Sequence, residues 1–413
     1  MSIDSGNGRR EERLPFKLIA TVWLPFACGY FLSYGLRNIN AIIAPDLVRD
    51  LGVNAGELGL LTSAYFLTFA AFQLPLGLLL DRYGPRRVNA ALLVCAALGA
   101  ALFGLSRNLA ELVLARSLIG IGVSACLMAS IKAFVQWFPA SRLATLNGWL
   151  LAAGGVGAMT ASAPAQAALA LTDWRGLFVA IAVITAAIAT LIFLLVPERG
   201  EDARRESLAE LAAGLRSVAA SAMFWRVSLL FAFVQGTFLA VQGLWAAPWL
   251  RDIAGYSREA VGATLLWLAL SMTVGFAAVG TLADRLARHG IPAMTVLKIG
   301  SGISIAAFAL ITAGVTTGMT GIWLVYAFCG TGTVLVYPML SKSFPLRLTG
   351  RVTTAANLLL FVVAFAVQWG VGVVIGQWPA RDGMYPAVAY GAAFAVPLVL
   401  QVAAFAVLLA KER

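Results

Sequence analysis

Apolar residues fill long stretches of this chain with few interruptions, and the polar positions collect in short connections between them. A helix needs about 20 mostly apolar residues to cross a bilayer. Bounded by charges, Gly or Pro, twelve such runs lie at 18–44, 58–80, 88–105, 110–135, 143–170, 175–196, 224–250, 259–283, 291–314, 319–341, 352–376 and 386–410. They predict an all-α integral membrane protein with twelve transmembrane helices. The first run is too long for a removable signal peptide and no small-residue cleavage site follows it, so it is expected to remain as a helix. The longest polar stretch separates six runs from six. It divides the chain into an N-terminal tail (1–17), a first six-helix bundle (18–197), a linker (198–223), a second bundle (224–410) and a tail (411–413). Within the linker, 206–215 fits a short amphipathic surface helix, with a plain flexible connection as the alternative.

Composition agrees with that pattern: 61% of the 413 residues are hydrophobic and 12% are charged, against roughly 25% charged in a soluble chain. The net charge of +11 would suggest a nucleic-acid partner on a soluble protein. Here its distribution removes that reading. Of the 30 Lys and Arg, 20 fall in the tails and the connections on the N-terminal side, six fall in the opposite connections and four lie inside the runs. Basic residues accumulate on the cytoplasmic side, so both termini are expected in the cytoplasm and the lipid bilayer, not nucleic acid, is the partner of the bases. Cys28, Cys95, Cys126 and Cys329 lie in apolar stretches without CxxC spacing, and His289 is the single histidine. No disulfide framework, metal site or cofactor is expected.

The four bases inside the runs are Arg37, Arg116, Lys132 and Lys298, and no Asp or Glu lies well inside any run. Ionisable residues at membrane depth are costly and face a cavity or a partner. An arginine fork holds a carboxylate or phosphate in a bidentate pair, strengthened where water is scarce. A bound anion is therefore the economical counter-ion. Arg37 stands ~13.5 Å of helix from Asp46 at about 1.5 Å per residue, and shares a face with Tyr30, Ser33, Tyr34 and Asn40. Lys132 is rotated ~160° from Arg116 on the fourth helix at about 100° per residue. It is expected to snorkel to the nearby cytoplasmic end, and Lys298 to snorkel from a peripheral helix. With no acid–base pair or metal cluster in the spans, an enzyme is not expected.

An offset of 203 residues aligns the two halves: Pro45 with Pro248, Leu47 with Leu250, Gly52 with Gly255, Asn54 with Ser257, and Gly77, Asp81 and Arg82 with Gly280, Asp284 and Arg285. Six helices separate the repeats, so they share an orientation and form two bundles about a pseudo-two-fold axis along the membrane normal. The segment Gly77-Leu-Leu-Leu-Asp81-Arg82-Tyr-Gly84-Pro-Arg86-Arg87, with its echo from Gly280 to Arg288, resembles the signature loop of the major facilitator superfamily. There the acid and bases would cap helix ends and form ion pairs holding one bundle against the other. This resemblance makes Gly77, Asp81, Arg82, Gly84, Arg86, Arg87, Asp284 and Arg285 candidates for conformational gating.

A narrower resemblance runs through Tyr34-Gly-Leu-Arg37-Asn38, Ala44-Pro45-Asp46, Ser63-Ala64-Tyr65, Gln73-Leu-Pro75, Arg116-Ser-Leu-Ile-Gly120-Ile-Gly122, Ile131-Lys132-Ala133, Trp137-Phe-Pro139 and Asp173-Trp174-Arg175. It is similar to the anion:cation symporter branch, whose members move organic anions, sugar acids or phosphate esters. Where that branch often carries an Asp before the first-helix Arg and a Glu after the fourth-helix Gly-x-Gly, this chain has Leu36 and Val123. Both acids are associated with proton coupling in such relatives.

In relatives the first, fourth, seventh and tenth helices line the cavity. The seventh here offers Gln235 and Gln242, the tenth Tyr326, Thr333 and Tyr337, and the eleventh adds Asn357. With Arg37, Tyr34, Tyr30, Asn40 and Arg116 they form the expected substrate set, although amides and aromatics also serve helix contacts and membrane interfaces. Arg116 suits a structural or gating role equally. Glycines 148, 154, 155 and 157 of the fifth helix and 370, 372 and 376 of the eleventh are expected to let the bundles pack closely and slide. The expectation is a monomeric secondary transporter for a small organic anion in a bacterial inner membrane, its coupling ion open. A proton-driven exporter would want a buried carboxylate, and a transporter-shaped sensor would want a signalling domain.

Overall fold

The computed structural model describes residues 16–197, 216–345 and 348–410. Among them the chain is helical throughout, and the one β feature is an isolated bridge between Arg381 and Met384. Twelve helical segments follow in order. The first, α1, covers 16–51 and is interrupted at Ile39. One continuous run, Ala55–Leu105, is broken by Gly84 at φ 78° and ψ 161°, which gives α2 (55–83) and α3 (85–105). Then come α4 (Leu109–Val123 and Cys126–Trp137), α5 (Ala140–Thr160), α6 (Trp174–Leu195), α7 (222–252), α8 (Arg258–Arg288), α9 (Ala293–Thr312), α10 (319–343), α11 (Thr349–Ile375) and α12 (Ala387–Leu409).

Local chemistry sets these boundaries. Asn54 and Glu57 exchange bonds in a capping box at the start of α2, and Ser257 accepts from the Ala260 amide at the start of α8. Gly52 and Gly255, matched by the repeat, end α1 and α7 with φ 66° and 68°. That left-handed turn is open to glycine at little steric cost. Asn108 and Asp173 cap α4 and α6 in the same way as Asn54.

Eleven helices are long and apolar enough to cross a membrane. The twelfth, α5, is helical over 21 residues, but Ser141, Arg142, Thr145, Asn147 and its glycines dilute its hydropathy. Large apolar side chains such as Leu98, Val183, Leu194, Trp267 and Val399 stand exposed around the outside, as they would against lipid. The expected tails and most of the expected linker, including 206–215, lie outside the described residues.

Between the halves, α2 packs on α11, α5 on α8 and the end of α1 on α7. Backbones approach where side chains are missing. A Cβ on Gly372 would fall 2.4 Å from the Ala55 carbonyl oxygen, and one on Gly59 2.9 Å from that of Gln368. On α5, a Cβ on Gly155 would fall 2.5 Å from Thr273 Oγ1 of α8. Gly154 and Gly157 instead receive α1 of their own bundle, and Gly148 and Gly370 face open space. Close packing between bundles thus rests on part of the expected glycine set.

Candidate functional site

A cavity of about 670 Å³ lies between the bundles. Its lining runs from Arg37 on α1 to Gly148 on α5 and Thr281 on α8, both exposed and toward the face that carries Asp81. Tyr30, Tyr34, Arg37, Gln235, Thr333, Tyr337 and Asn357 all line it, with Ser33 beside them. Among the described residues, Arg37 is the charged residue of that wall and no carboxylate borders it. The guanidinium is 7% exposed, makes no ion pair among the described residues, and its Nε has no hydrogen-bond partner. Aromatic faces surround it, with Tyr34 at 4.5 Å, Phe361 at 5.3 Å, Phe69 at 5.5 Å and Tyr65 at 5.9 Å from the ring centroids. Such faces stabilise a cation by their quadrupoles without neutralising it. The net positive charge therefore remains available to an incoming anion.

The polar groups opposite are partly engaged with one another. Tyr337 donates to Asn357 Oδ1 at 3.0 Å, and the Thr333 hydroxyl lies 2.8 Å from the Gly330 carbonyl and 3.2 Å from Gln235 Oε1, with one proton to share between them. The free N–H groups of both amides remain as donors.

Four residues of the expected set lie off the cavity. Asn40 donates to Thr62 Oγ1 at 3.1 Å and ties α1 to α2. Arg116, 1% exposed, donates to the Leu36 carbonyl at 2.8 Å beside the interruption of α1 and lies 5.1 Å from the Tyr65 ring. It steadies the turn that presents Arg37. Gln242 is two turns beyond Gln235, on a π-helical segment packed against α1 where the bundles meet. Tyr326 is buried among Phe238, Phe308 and Trp323.

The chain matches the family model described as Major Facilitator Superfamily over residues 26–368. It belongs to that superfamily. Among curated relatives it is 28% identical over 357 residues to the "Probable L-galactonate transporter" of Escherichia coli, covering 81% of this chain and 78% of that one. It is 25% identical over 341 residues to a "Probable nitrate/nitrite transporter" of Mycobacterium tuberculosis, covering 81% and 83%. Among solved structures, a bacterial homolog of the human lysosomal transporter Spinster superposes with a TM-score of 0.79 at 18% identity, covering 95% of this chain and 96% of that one. This facilitator is thus a multi-pass membrane transporter with the superfamily's fold, and not an enzyme. The relatives agree with the resemblance to the anion:cation symporter branch.

At the facilitator's signature loop, Asp81 pairs with Lys132 of α4 at 2.5 Å, and Lys132 also donates to the Leu80 carbonyl at 3.1 Å. The expected snorkelling of Lys132 is corrected in this respect: the ammonium ends on a carboxylate. Among the described residues Asp81 shows no partner in the second bundle, since Lys132 belongs to the first. Gly84 makes the helix break, Arg82 lies over Tyr83, Arg86 lies over Phe193, and Gly77 has open space above it. Arg87 is in the first turn of α3, and Asp284 and Arg285 are in the last turns of α8. The Asp284 side chain lies outside the described residues. Lys298 sits on α9, away from the cavity.

Two features escaped the sequence. Phe69 and Phe361 complete the ring around Arg37, and Phe361 follows Asn357 by four residues, a spacing that places both on one face. At the opposite end, Asp46 accepts from Arg258 of α8, which also donates to Gln166 at 3.0 Å. The pair joins the bundles across their interface, and no spacing within either half signals it.

Proposed function

We propose that this facilitator is a secondary transporter of a small organic anion, a carboxylate or phosphate ester, held at Arg37 and moved by alternating access between the two bundles. The observation that carries the reading is a buried guanidinium without an ion pair in a cavity that has no carboxylate. A charge held there without a counter-ion is costly, and an anionic cargo supplies the counter-charge. The anionic substrates named for its relatives support the same class. Taking the basic Asp81 face as cytoplasmic, the cavity is open inward and shut outward in this conformation; the protein sits in a bacterial inner membrane with both termini in the cytoplasm and a single chain as the working unit. A proton-driven exporter fits less well, because the wall offers no acid to carry the proton.

Arg37→Lys keeps the charge but loses the planar fork, and is expected to weaken anion binding at least tenfold. Arg37→Gln is expected to abolish it. Calorimetric titration of the purified protein over organic acids, phosphate esters and amines tests this. Wild-type anion affinity in a folded Arg37→Gln protein would make the arginine structural and sink the proposal.

A further inference from the structure

The chemistry of the wall narrows the cargo further, on the assumption that the anion reading above is correct. Arg37 brings one positive charge to the cavity, and among the described residues nothing else in the lining is charged. A monovalent anion closes that balance. A second negative charge would be left at membrane depth without a partner, which is costly.

The surroundings of the guanidinium then decide what body the anion carries. Phe69 of the first bundle and Phe361 of the second lie with ring centroids 4.4 Å apart, each within about 5.5 Å of the guanidinium carbon. Phe231 packs edge-on against Tyr337 at 5.1 Å farther along the same cavity. Asn357 Oδ1 already accepts from Tyr337, and Gln235 Oε1 lies 3.2 Å from the Thr333 hydroxyl. Beyond the amide N–H groups and the hydroxyls of Tyr30, Ser33 and Tyr34, the wall around Arg37 is ring faces and aliphatic side chains, so a polyhydroxylated body would leave part of its hydroxyls facing them unpaired, at a cost. A flat ring would stack or pack edge-on there without such a cost.

We infer that the cargo is a monovalent carboxylate borne on a flat, apolar or aromatic body, with Arg37 reading the charge and Phe361 and Phe69 selecting the ring. Phe361 touches Arg37 from the other bundle, so a ring bound beside it spans the interface. The cargo's body, and not only its charge, then joins the two bundles.

The test uses the full chain, purified in detergent, and four probes by calorimetric titration at pH 8: benzoate, gluconate, phthalate and phenyl phosphate. Benzoate is expected to bind at least tenfold more tightly than each of the others. Phe361→Ala should weaken benzoate five- to tenfold and gluconate less than twofold. Phe361→Leu keeps the bulk without the ring and should shift benzoate in the same direction if the alanine protein does not fold. Tighter binding of gluconate, phthalate or phenyl phosphate than of benzoate, abolished by Arg37→Gln, would overturn this inference and leave the anion reading standing. Benzoate affinity unchanged in both Phe361 variants would remove the ring selection, and benzoate that fails to bind overturns the inference outright. Binding of any probe that survives Arg37→Gln would remove the anion reading itself.

Discussion

At one end of the molecule, Asp46 of α1 is held by Arg258 of α8, a residue of the other bundle, and by Arg49 of its own helix at 3.1 Å. At the other end, Asp81 is held by Lys132 at 2.5 Å, and both belong to the first bundle. The Asp46 side chain is 9% exposed and the Asp81 side chain 52%. An exposed pair within one bundle contributes about 0–1 kcal/mol and resists no separation of the halves. A pair across the interface, with its carboxylate buried and its guanidinium part-exposed, opposes separation directly. Backbone contacts follow the same division, since Gly59 and Gly372 bring α2 and α11 together on the Asp46 side, while Gly148 faces open cavity toward the Asp81 side. Together they account for a cavity shut at one face and open at the other: the closed end is joined by contacts between bundles, and the pair at the open end is spent within one.

The strongest way to break this asymmetry is to remove the room at the closed end. In Gly372→Ala the new methyl would sit 2.4 Å from the Ala55 carbonyl, and overpacking of this kind costs about 1–3 kcal/mol. The cost falls only on the conformation in which α2 and α11 touch there, so the population should move toward opening of the Asp46 face by roughly tenfold. Spin labels at Leu171 and Arg381, in a background without the four native cysteines, should report a longer distance. Gly148→Ala, with nothing within 4 Å of its Cβ, serves as the control and should leave the distance unchanged. No change with Gly372→Ala would mean that the α2–α11 contact does not hold this face shut.

Arg258→Gln should act in the same direction and less strongly. Asp46 keeps Arg49, and Arg258 is 40% exposed, so the loss is about 1 kcal/mol, or roughly fivefold in population. The same labels measure it. If the charge-reversed pair Asp46→Arg with Arg258→Asp did not restore the distance, the pair would not be the element that closes this face.

The fold was legible because its signals repeat. Length of apolar run gave the helices, and the 203-residue offset paired Gly52 with Gly255 and Asn54 with Ser257, which prove to be equivalent caps. Arg37 was legible because a lone base in an apolar run has few explanations. Arg116 looked the same in sequence, and only the broken turn of α1 separates the two roles: one guanidinium lines the cavity while the other serves the Leu36 carbonyl. The pairings of Asp46 with Arg258 and Asp81 with Lys132 join residues 212 and 51 positions apart, and residue spacing does not encode contacts made by bundle docking. Gln242 and Tyr326 share the composition of cavity residues, but their depth along α7 and their facing on α10 decided otherwise.

Asp81→Asn removes a pair that lies within one bundle and away from Arg37. It should slow net transport several-fold while leaving equilibrium anion affinity within about threefold, because the pair lies at the loop end of α2, outside the cavity lining. Parallel counterflow rates and calorimetric affinities separate the two. Loss of affinity in a folded Asp81→Asn protein would place this loop in recognition instead of exchange.

The smallest effect expected is none, and it bears on coupling. Arg37 stays protonated across the physiological range, and among the described residues the cavity wall adds no carboxylate or histidine. The branch's proton-associated acids are replaced by Leu36 and Val123, both buried, with Val123 in the cavity lining. A proton would then have no group in the cavity on which to travel except the cargo. A fully ionised, non-titrating anion in proteoliposomes should therefore not be concentrated by a pH gradient with the membrane potential clamped. If it is, the asymmetry between the faces supplies the next place to look. Asp46 is buried and joined across the bundles, so protonating it would release Arg258 as the outer face opens. Uphill uptake that disappears in Asp46→Asn would make the closing pair the coupling element, and uptake that persists in that variant would exclude it.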